Sequence, residues 1–204
     1  VYERKKEAAD TENRYILTCK NTDKICIFTN KGQMHLLKVL DLPYGKFRDK
    51  GIPIDNLSNY DSSEENFIYI INLGAIIHSR LLFGTKTAML KMVDGSEFDV
   101  AKRTTASTKL NEDDELLIVH AMTGEETVVM QSEKEMFLRI EASTIPEKKK
   151  GAVGVRGMKL NAGDALSNIY VLDGENEQTV EVKGKEVVLN RLRVGNRDTK
   201  GTKR

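Results

Sequence analysis

Basic side chains dominate whatever chemistry this sequence could perform. They collect in four stretches: Lys46, Arg48 and Lys50 within residues 44–51; Lys102, Arg103 and Lys109 within 101–109; Lys148, Lys149, Lys150, Arg156 and Lys159 within 147–159; and Arg191, Arg193, Arg197, Lys200, Lys203 and Arg204 within 191–204. These stretches hold seventeen basic against three acidic residues, a surplus of fourteen in a chain whose net charge is only +1. The remainder must carry the compensating negative charge, and acidic turns such as Glu64-Glu65, Glu112–Glu115, Glu125-Glu126 and Glu175/Glu177 supply much of it. Ammonium and guanidinium groups grouped this way suit a polyanion. Each one that neutralises a phosphate releases condensed counterions, so binding is strongly salt-dependent and nearly blind to base sequence. A lone charge run usually marks only a solvated face. Four runs at corresponding places of a repeat favour a ligand.

Groups suited to breaking bonds are scarce. His35, His78 and His120 stand 43 and 42 residues apart with no His-x-x-x-His spacing, and Cys19 and Cys26 are the only cysteines. That set supports neither a disulfide framework nor a closed zinc site. No Gly-x-x-x-x-Gly-Lys-Ser/Thr and no Gly-x-Ser-x-Gly occurs. The glycine-rich run Gly151–Gly157 lacks the strand-to-helix context of a phosphate cradle. The tyrosines, for example Tyr15, Tyr69 and Tyr170, sit in strand-like runs and read as core or edge residues. The expectation is a domain without catalytic residues, metal or cofactor.

The chain has 204 residues, 39% hydrophobic and 31% charged, enough to bury a core and inconsistent with a disordered or collagen-like polymer. No apolar run approaches the ~18–20 residues of a membrane-spanning helix. The N-terminus Val1-Tyr2-Glu3-Arg4-Lys5-Lys6-Glu7 carries no signal-peptide core and no initiator Met, so the sequence reads as cut from a longer protein of the reducing cytosol.

The elements that must position the basic stretches are repeats. An apolar run, a Thr or Ser and a polar turn recur as Ile25–Gly32, Leu81–Ala88 and Val128–Glu135, with Thr29, Thr85 and Ser132 separated by 56 and 47 residues. A second element recurs as Gly51–Leu57, Ala106–Leu110 and Gly154–Leu160; Leu57, Leu110 and Leu160 lie 53 and 50 apart. Acidic turns then precede the β-rich runs Phe67–Ile71, Leu116–Val119 and Ile169–Leu172. Each run is short, rich in Val, Ile, Phe, Tyr and Leu, and bounded by turn residues. Asn30-Lys31-Gly32, Asp94-Gly95, Thr123-Gly124, Asp173-Gly174 and Lys183-Gly184 are all compatible with hairpins. Only Val1 to Thr11 has a pattern compatible with a helix.

Four strands in about 50 residues is the arithmetic of a propeller blade, whose faces are covered only by its neighbours. The expected fold is all-β, with three full blades and a partial fourth. Residues 1–12 read as a charged segment or linker and residues 13–204 as one domain, with blades near 13–72, 73–122, 123–172 and 173–204. Equivalent loops of stacked blades should share one rim, so the four basic clusters should line up as a single band.

These residues resemble a known family. Phe28-Thr29-Asn30-Lys31-Gly32 followed by Leu37-Lys38-Val39 and Gly51-Ile52-Pro53-Ile54 looks like a blade of the C-terminal β-pinwheel domain of bacterial type IIA topoisomerases, found in DNA gyrase A and its topoisomerase IV counterpart. Gly154-Val155-Arg156-Gly157-Met158-Lys159-Leu160-Asn161-Ala162-Gly163-Asp164 is the most specific match, and the resemblance runs from about Arg14 to the end. It implies a β-pinwheel of hairpin-exchanging blades, as a closed ring or an open spiral, with double-stranded DNA bent around a basic outer edge. The residues it places at that edge are Lys46, Arg48, Lys50, Lys102, Arg103, Lys148, Lys149, Lys150, Arg156, Arg197, Lys200 and Lys203. It also implies as partners the rest of the gyrase A-type polypeptide and the separate ATPase subunit of the topoisomerase, to which ATP and Mg would belong. The location it implies is cytoplasmic and nucleoid-associated.

The sequence departs from that family in three respects, one being an expected blade count below gyrase's usual six. Gyrase's basic signature Q-R/K-R-G-G-R/K-G has no match here; Gly45–Gly51 and Asn196–Gly201 are degenerate forms at best. The repeat glycine at Gly32 is replaced by Ala88 and Glu135. Either the signature lies upstream of these residues or the domain is topoisomerase IV-like and bends DNA without wrapping it fully; the second reading is favoured. The competing reading is a propeller-type interaction module that docks an acidic partner.

Overall fold

The computed structural model describes residues 13–46 and 49–204. The helix-compatible stretch Val1 to Thr11, and Arg48 among the candidate DNA contacts, lie outside the described residues. Within them the fold is all-β. The first hairpin is β1 (Lys24–Thr29) and β2 (Gln33–Lys38), followed by β3 (Phe67–Asn72). The second repeat holds β4 (Arg80–Thr85), β5 (Met89–Asp94), β6 (Thr104–Ala106) and β7 (Leu116–Met122). The third holds β8 (Thr127–Ser132), β9 (Met136–Glu141), β10 (Val155–Arg156) and β11 (Leu166–Leu172). The last holds β12 (Thr179–Val182), β13 (Lys185–Val188) and β14 (Thr202–Lys203).

The sheets have the orders β3-β1-β2-β6, β10-β5-β4-β7 and β11-β8-β9-β14, with β12-β13 as a two-stranded fourth. Every strand pair is antiparallel. Each complete sheet therefore takes three strands from one repeat and its outermost strand from the next. The hairpins are exchanged, as the family resemblance implied, so no complete blade is contiguous in sequence.

The hairpin turns follow from local chemistry. Gly32 turns with φ +70°, and Ala88 and Glu135 take the same left-handed conformation at φ 63°. The turn has kept its geometry after losing its glycine, at a cost of about 1–2 kcal/mol per non-glycine residue. Lys183-Gly184 forms the fourth, two-residue turn, both residues with positive φ. The other three turn dipeptides are not hairpins. Asp94 caps a 3-10 turn by accepting from the Ser96 amide, while Thr123-Gly124 and Asp173-Gly174 link consecutive blades.

The core lies between sheets. Phe28, Phe83 and Phe98 pack between the first two, with ring centroids 5.1 Å (Phe28–Phe98) and 5.8 Å (Phe83–Phe98) apart. Leu82, Leu90, Met130 and Leu138 fill the second interface, and Val129, Phe137, Leu172 and Leu189 the third. Consecutive blades thus supply each other's missing hydrophobic face, which is why a single blade has no independent core. Tyr69 stacks on Phe28, and the Tyr170 hydroxyl donates to Gln131 at 2.8 Å, both structural roles. Burial pushes the Cys26 thiol up to about 12, so it is inert as a nucleophile.

Candidate nucleic-acid interface

Every basic stretch belongs to the segment that leaves an outer hairpin strand and, in the last three repeats, crosses back to the preceding blade. The exit is a 3-10 turn in each repeat: Val39–Asp41, Gly95–Phe98, Ala142–Thr144 and Leu189–Arg191. An apolar residue four positions past the strand end anchors it. Phe98, Ile145 and Leu192 are buried there, whereas Leu42 of the first repeat is only half-buried. The difference follows from topology, since among the described residues no blade precedes the first.

The crossing segments dock at one position, the fourth residue of β2, β5 or β9, though the bond direction differs in the first blade. Leu36 N–H donates to the Arg103 carbonyl (2.7 Å), Lys148 N–H to Met92 (2.8 Å) and Gly195 N–H to Arg139 (2.8 Å). Next to these bonds the exchanged strands β6, β10 and β14 pair with β2, β5 and β9. The glycines of the Gly-Val-Arg-Gly run gain a physical reason here. A Cβ on Gly154 would sit 2.5 Å from the Leu90 carbonyl oxygen, and one on Gly157 would sit 2.6 Å from Leu90 Cδ1. Gly201 occupies the matching place in the next repeat, where a Cβ would sit 2.8 Å from the Phe137 carbonyl oxygen.

Consecutive segments also touch each other. Arg103 lies 3.6 Å from Asp41, and Asn59 donates to Thr104 Oγ1 at 3.0 Å, joining the first and second. Glu97 joins the second and third, accepting from the Lys150 amide (3.0 Å) and pairing with Lys149 (3.5 Å). Asp41 and Glu97 both stand three residues past a strand end, so one tether recurs in two repeats. The third and fourth meet where Arg156 pairs with Asp198 (2.8 Å), Arg197 donates to the Arg156 carbonyl (2.9 Å) and Lys159 N–H donates to Thr199 (2.9 Å).

The candidate residues divide by what they touch. Lys46, Lys50, Lys102, Lys148, Lys200 and Lys203 are exposed and form no ion pair among the described residues. Arg103, Lys149 and Arg156 are exposed but tethered to the carboxylates named above. Lys150 and Arg197 are half-buried, and the Lys150 ammonium donates to the Glu97 carbonyl (2.8 Å) above the Phe98 ring. The first group is available to phosphates at no structural cost. The last holds the segments together.

The acidic turns have a different task. Asp114 accepts from the Thr87 amide (3.0 Å) and hydroxyl (2.5 Å), and Glu115 bridges Lys31 (3.1 Å) and Lys86 (2.6 Å), drawing its own pKa down through those lysines. Burial alone would raise the pKa of Glu126, but the amides of Thr123 and Gly124 overcome it, and the carboxyl is held below its ordinary range.

Two inward-turned cations, Lys91 fully buried and Arg139 half-buried, escaped the sequence reading. Lys91 in β5 is 1% exposed, and its ammonium donates to the carbonyls of Lys149, Lys150 and Ala152. Burial pulls it down to about 8, with Glu97 opposing the shift. Arg139 in β9 reaches the carbonyls of Asn190 and Leu192 in the fourth segment. The available signal was a lone charge inside the apolar run Leu90-Lys91-Met92-Val93. Among the described residues no group of three or more His, Cys, Asp or Glu side chains is arranged to hold a metal. His35 is instead buried between Glu65 and Thr104.

Residues 79–121 and 126–173 match the family described as DNA gyrase C-terminal domain, beta-propeller. DNA gyrase A of Staphylococcus epidermidis is 31% identical over 196 residues, covering 92% of this chain and 22% of that protein. DNA gyrase A of Lawsonia intracellularis is 29% identical over 194 residues, covering 91% and 23%. The chain thus spans less than a quarter of the length of these relatives. Among solved structures, the C-terminal domain of DNA topoisomerase IV superposes with TM-score 0.83 at 21% identity, over 98% of this chain and 66% of that one. The E. coli ParC C-terminal domain follows with TM-score 0.76 at 14% identity, over 92% and 79%.

Proposed function

Because the chain belongs to the family of C-terminal domains of DNA gyrase A and topoisomerase IV, we propose that it binds duplex DNA along its crossing segments and bends it, with no chemistry of its own. The observation that carries this reading is the unbroken succession of contacts from the first segment to the fourth. Exposed lysines from four repeats belong to segments joined in this way, which supports one connected strip in preference to separate loops. A duplex lying along that strip gains phosphate contacts from every repeat, and following the strip requires it to curve.

We group the domain with the topoisomerase IV type, bending without a full wrap, since no stretch of these residues carries the gyrase signature. In the parent enzyme, strand cleavage would belong to the rest of the gyrase A-type polypeptide, and ATP hydrolysis with Mg to a separate ATPase subunit. The setting would be the bacterial cytoplasm, on the nucleoid.

A duplex-DNA mobility shift across a salt series tests the binding. The reading expects log K to fall with log[salt] by several units per decade and little preference among sequences. Binding indifferent to salt, or retention of an acidic protein in place of DNA, would overturn it in favour of a protein-docking module. Ligation of a nicked circle in the presence of the domain tests the type. Bending alone leaves the linking number unshifted, whereas a full wrap displaces it in one direction.

A further inference from the structure

We propose that Lys91 is a positioning residue for DNA binding: its buried ammonium gathers the backbone carbonyls of the Lys148–Ala152 turn and so holds the lysines of that turn outward as a preformed phosphate contact. This rests on the DNA-binding reading above and adds to it a residue that never touches DNA.

The geometry is saturated. An ammonium has three N–H donors, and Lys91 Nζ has three carbonyl partners: Lys149 at 3.2 Å, Lys150 at 2.8 Å and Ala152 at 2.7 Å. The Phe83 ring lies beside it, with the centroid 5.6 Å from Nζ. A buried cation persists only when fully partnered, because the interior offers it no water. Drawing these carbonyls inward fixes the course of the turn, while the Lys148 and Lys149 side chains remain exposed on its outside. Lys150 completes the arrangement, with its amide on the Glu97 carboxylate and its ammonium on the Glu97 carbonyl.

The same device recurs. Arg139, on the corresponding strand of the next blade, donates to two carbonyls of the fourth segment and through Nε to Thr127. In the first blade, His35 occupies the place of Lys91, two residues into the strand, and its Nδ1 lies 3.0 Å from Thr104 Oγ1 of the second segment. Each complete blade thus has a nitrogen-bearing side chain under the segment that crosses it. A free turn of lysines would lose its disorder on meeting DNA, and ordering it beforehand removes that cost from binding.

The test is a double-mutant cycle in the whole chain. Lys91→Met, Lys148→Ala/Lys149→Ala and their combination are compared for duplex affinity over a salt series, with thermal unfolding measured in parallel. The expected result is that Lys91→Met, still folded, loses about tenfold in affinity and about two units of salt slope, as if two phosphate contacts were gone. In the Lys148→Ala/Lys149→Ala background it should change affinity no further, because the groups it positions are already absent. An equal loss in both backgrounds, or wild-type affinity in folded Lys91→Met, overturns the proposal. If Lys91→Met does not fold, Lys91→Gln, which keeps two donors without a charge, enters the same cycle with the same criterion. Failure of the wild-type chain to bind DNA would instead refute the underlying reading, so the two failures are distinguishable.

Discussion

Gly154→Ala tests the strand exchange on which the interface is built. The new methyl would stand 2.5 Å from the Leu90 carbonyl oxygen and 2.7 Å from its carbonyl carbon. Both atoms belong to backbone that pairs with Val155 in the β10–β5 ladder, so no side chain can rotate out of the way. The two strands must part by several tenths of an ångström, and β10 has only two residues with which to hold on. Overpacking of this kind costs about 1–3 kcal/mol. In a domain of this size each kcal/mol lowers Tm by about 2–4 °C, so a fall of roughly 4–8 °C is expected for a mid-range cost of about 2 kcal/mol. Gly151→Ala is the control, since its Cβ would meet nothing within 4 Å, and it should stay within about 0.5 kcal/mol of the parent. Differential scanning calorimetry of the three proteins decides the matter. Equal melting temperatures for the two variants would refute the close approach and with it the seating of the crossing segment.

Lys150→Ala should destabilise the domain by about 1–2 kcal/mol, because it strips the Glu97 carbonyl of its donor; Lys148→Ala should leave stability unchanged and weaken DNA binding, and chemical denaturation with a mobility shift separates the two effects. Glu126→Gln should cost about 1–3 kcal/mol, since a buried carboxylate accepting from Thr123 and Gly124 would be replaced by a group with one acceptor fewer. As the folded pKa of Glu126 is depressed, its contribution is present above the ordinary carboxylate value and is lost as pH falls through the folded value, so the wild-type advantage over Glu126→Gln should shrink in acid unfolding. Lys91 has the same sign in a different pH window, because burial there disfavours its charged form. Its folded pKa of about 8 lies below the ordinary value, so between pH 8 and about 10.5 the unfolded chain holds a proton the folded chain has released, and stability rises with pH by up to about 3 kcal/mol. Urea titrations of wild type against Lys91→Met should show that gain in the difference, and a flat difference would contradict the burial.

The residue pattern revealed the blades because a hairpin announces itself twice, in its apolar runs and in its turn. The spacing of Thr29, Thr85 and Ser132 located the ends of β1, β4 and β8 in this way. The exchanged strands left no such trace. Thr104–Ala106 is short and polar and becomes a strand only because β2 offers it an unpaired edge, and the exchange was expected from family resemblance alone. Asp94-Gly95 has hairpin composition, yet Gly95 is there for a different purpose: a Cβ would lie 1.8 Å from the Ile76 carbonyl oxygen. The positive-φ turn survives at Ala88 and Glu135 because the flanking strands fix its geometry whatever residue stands there. At the interface, the sequence identified which segments are basic but not which cations are structural. Lys150 and Lys148 are neighbours of one type, and only the position of Glu97 and Phe98 distinguishes them. Lys91 was hidden because a charge in an apolar run has no partner visible in sequence, its partners being carbonyls some sixty residues away.

Lys102, Lys148 and Lys200 are exposed, lack ion pairs among the described residues and come from three successive crossing segments. Their joint replacement by Ala, read as the salt dependence of binding to a duplex long enough to pass every segment, tests the shared path most directly. If one duplex follows all three, the slope should fall by about three units while the melting temperature stays in place. A slope unchanged from wild type, or one that drops no further for the triple variant than for a single substitution, would mean that the DNA does not follow the connected strip.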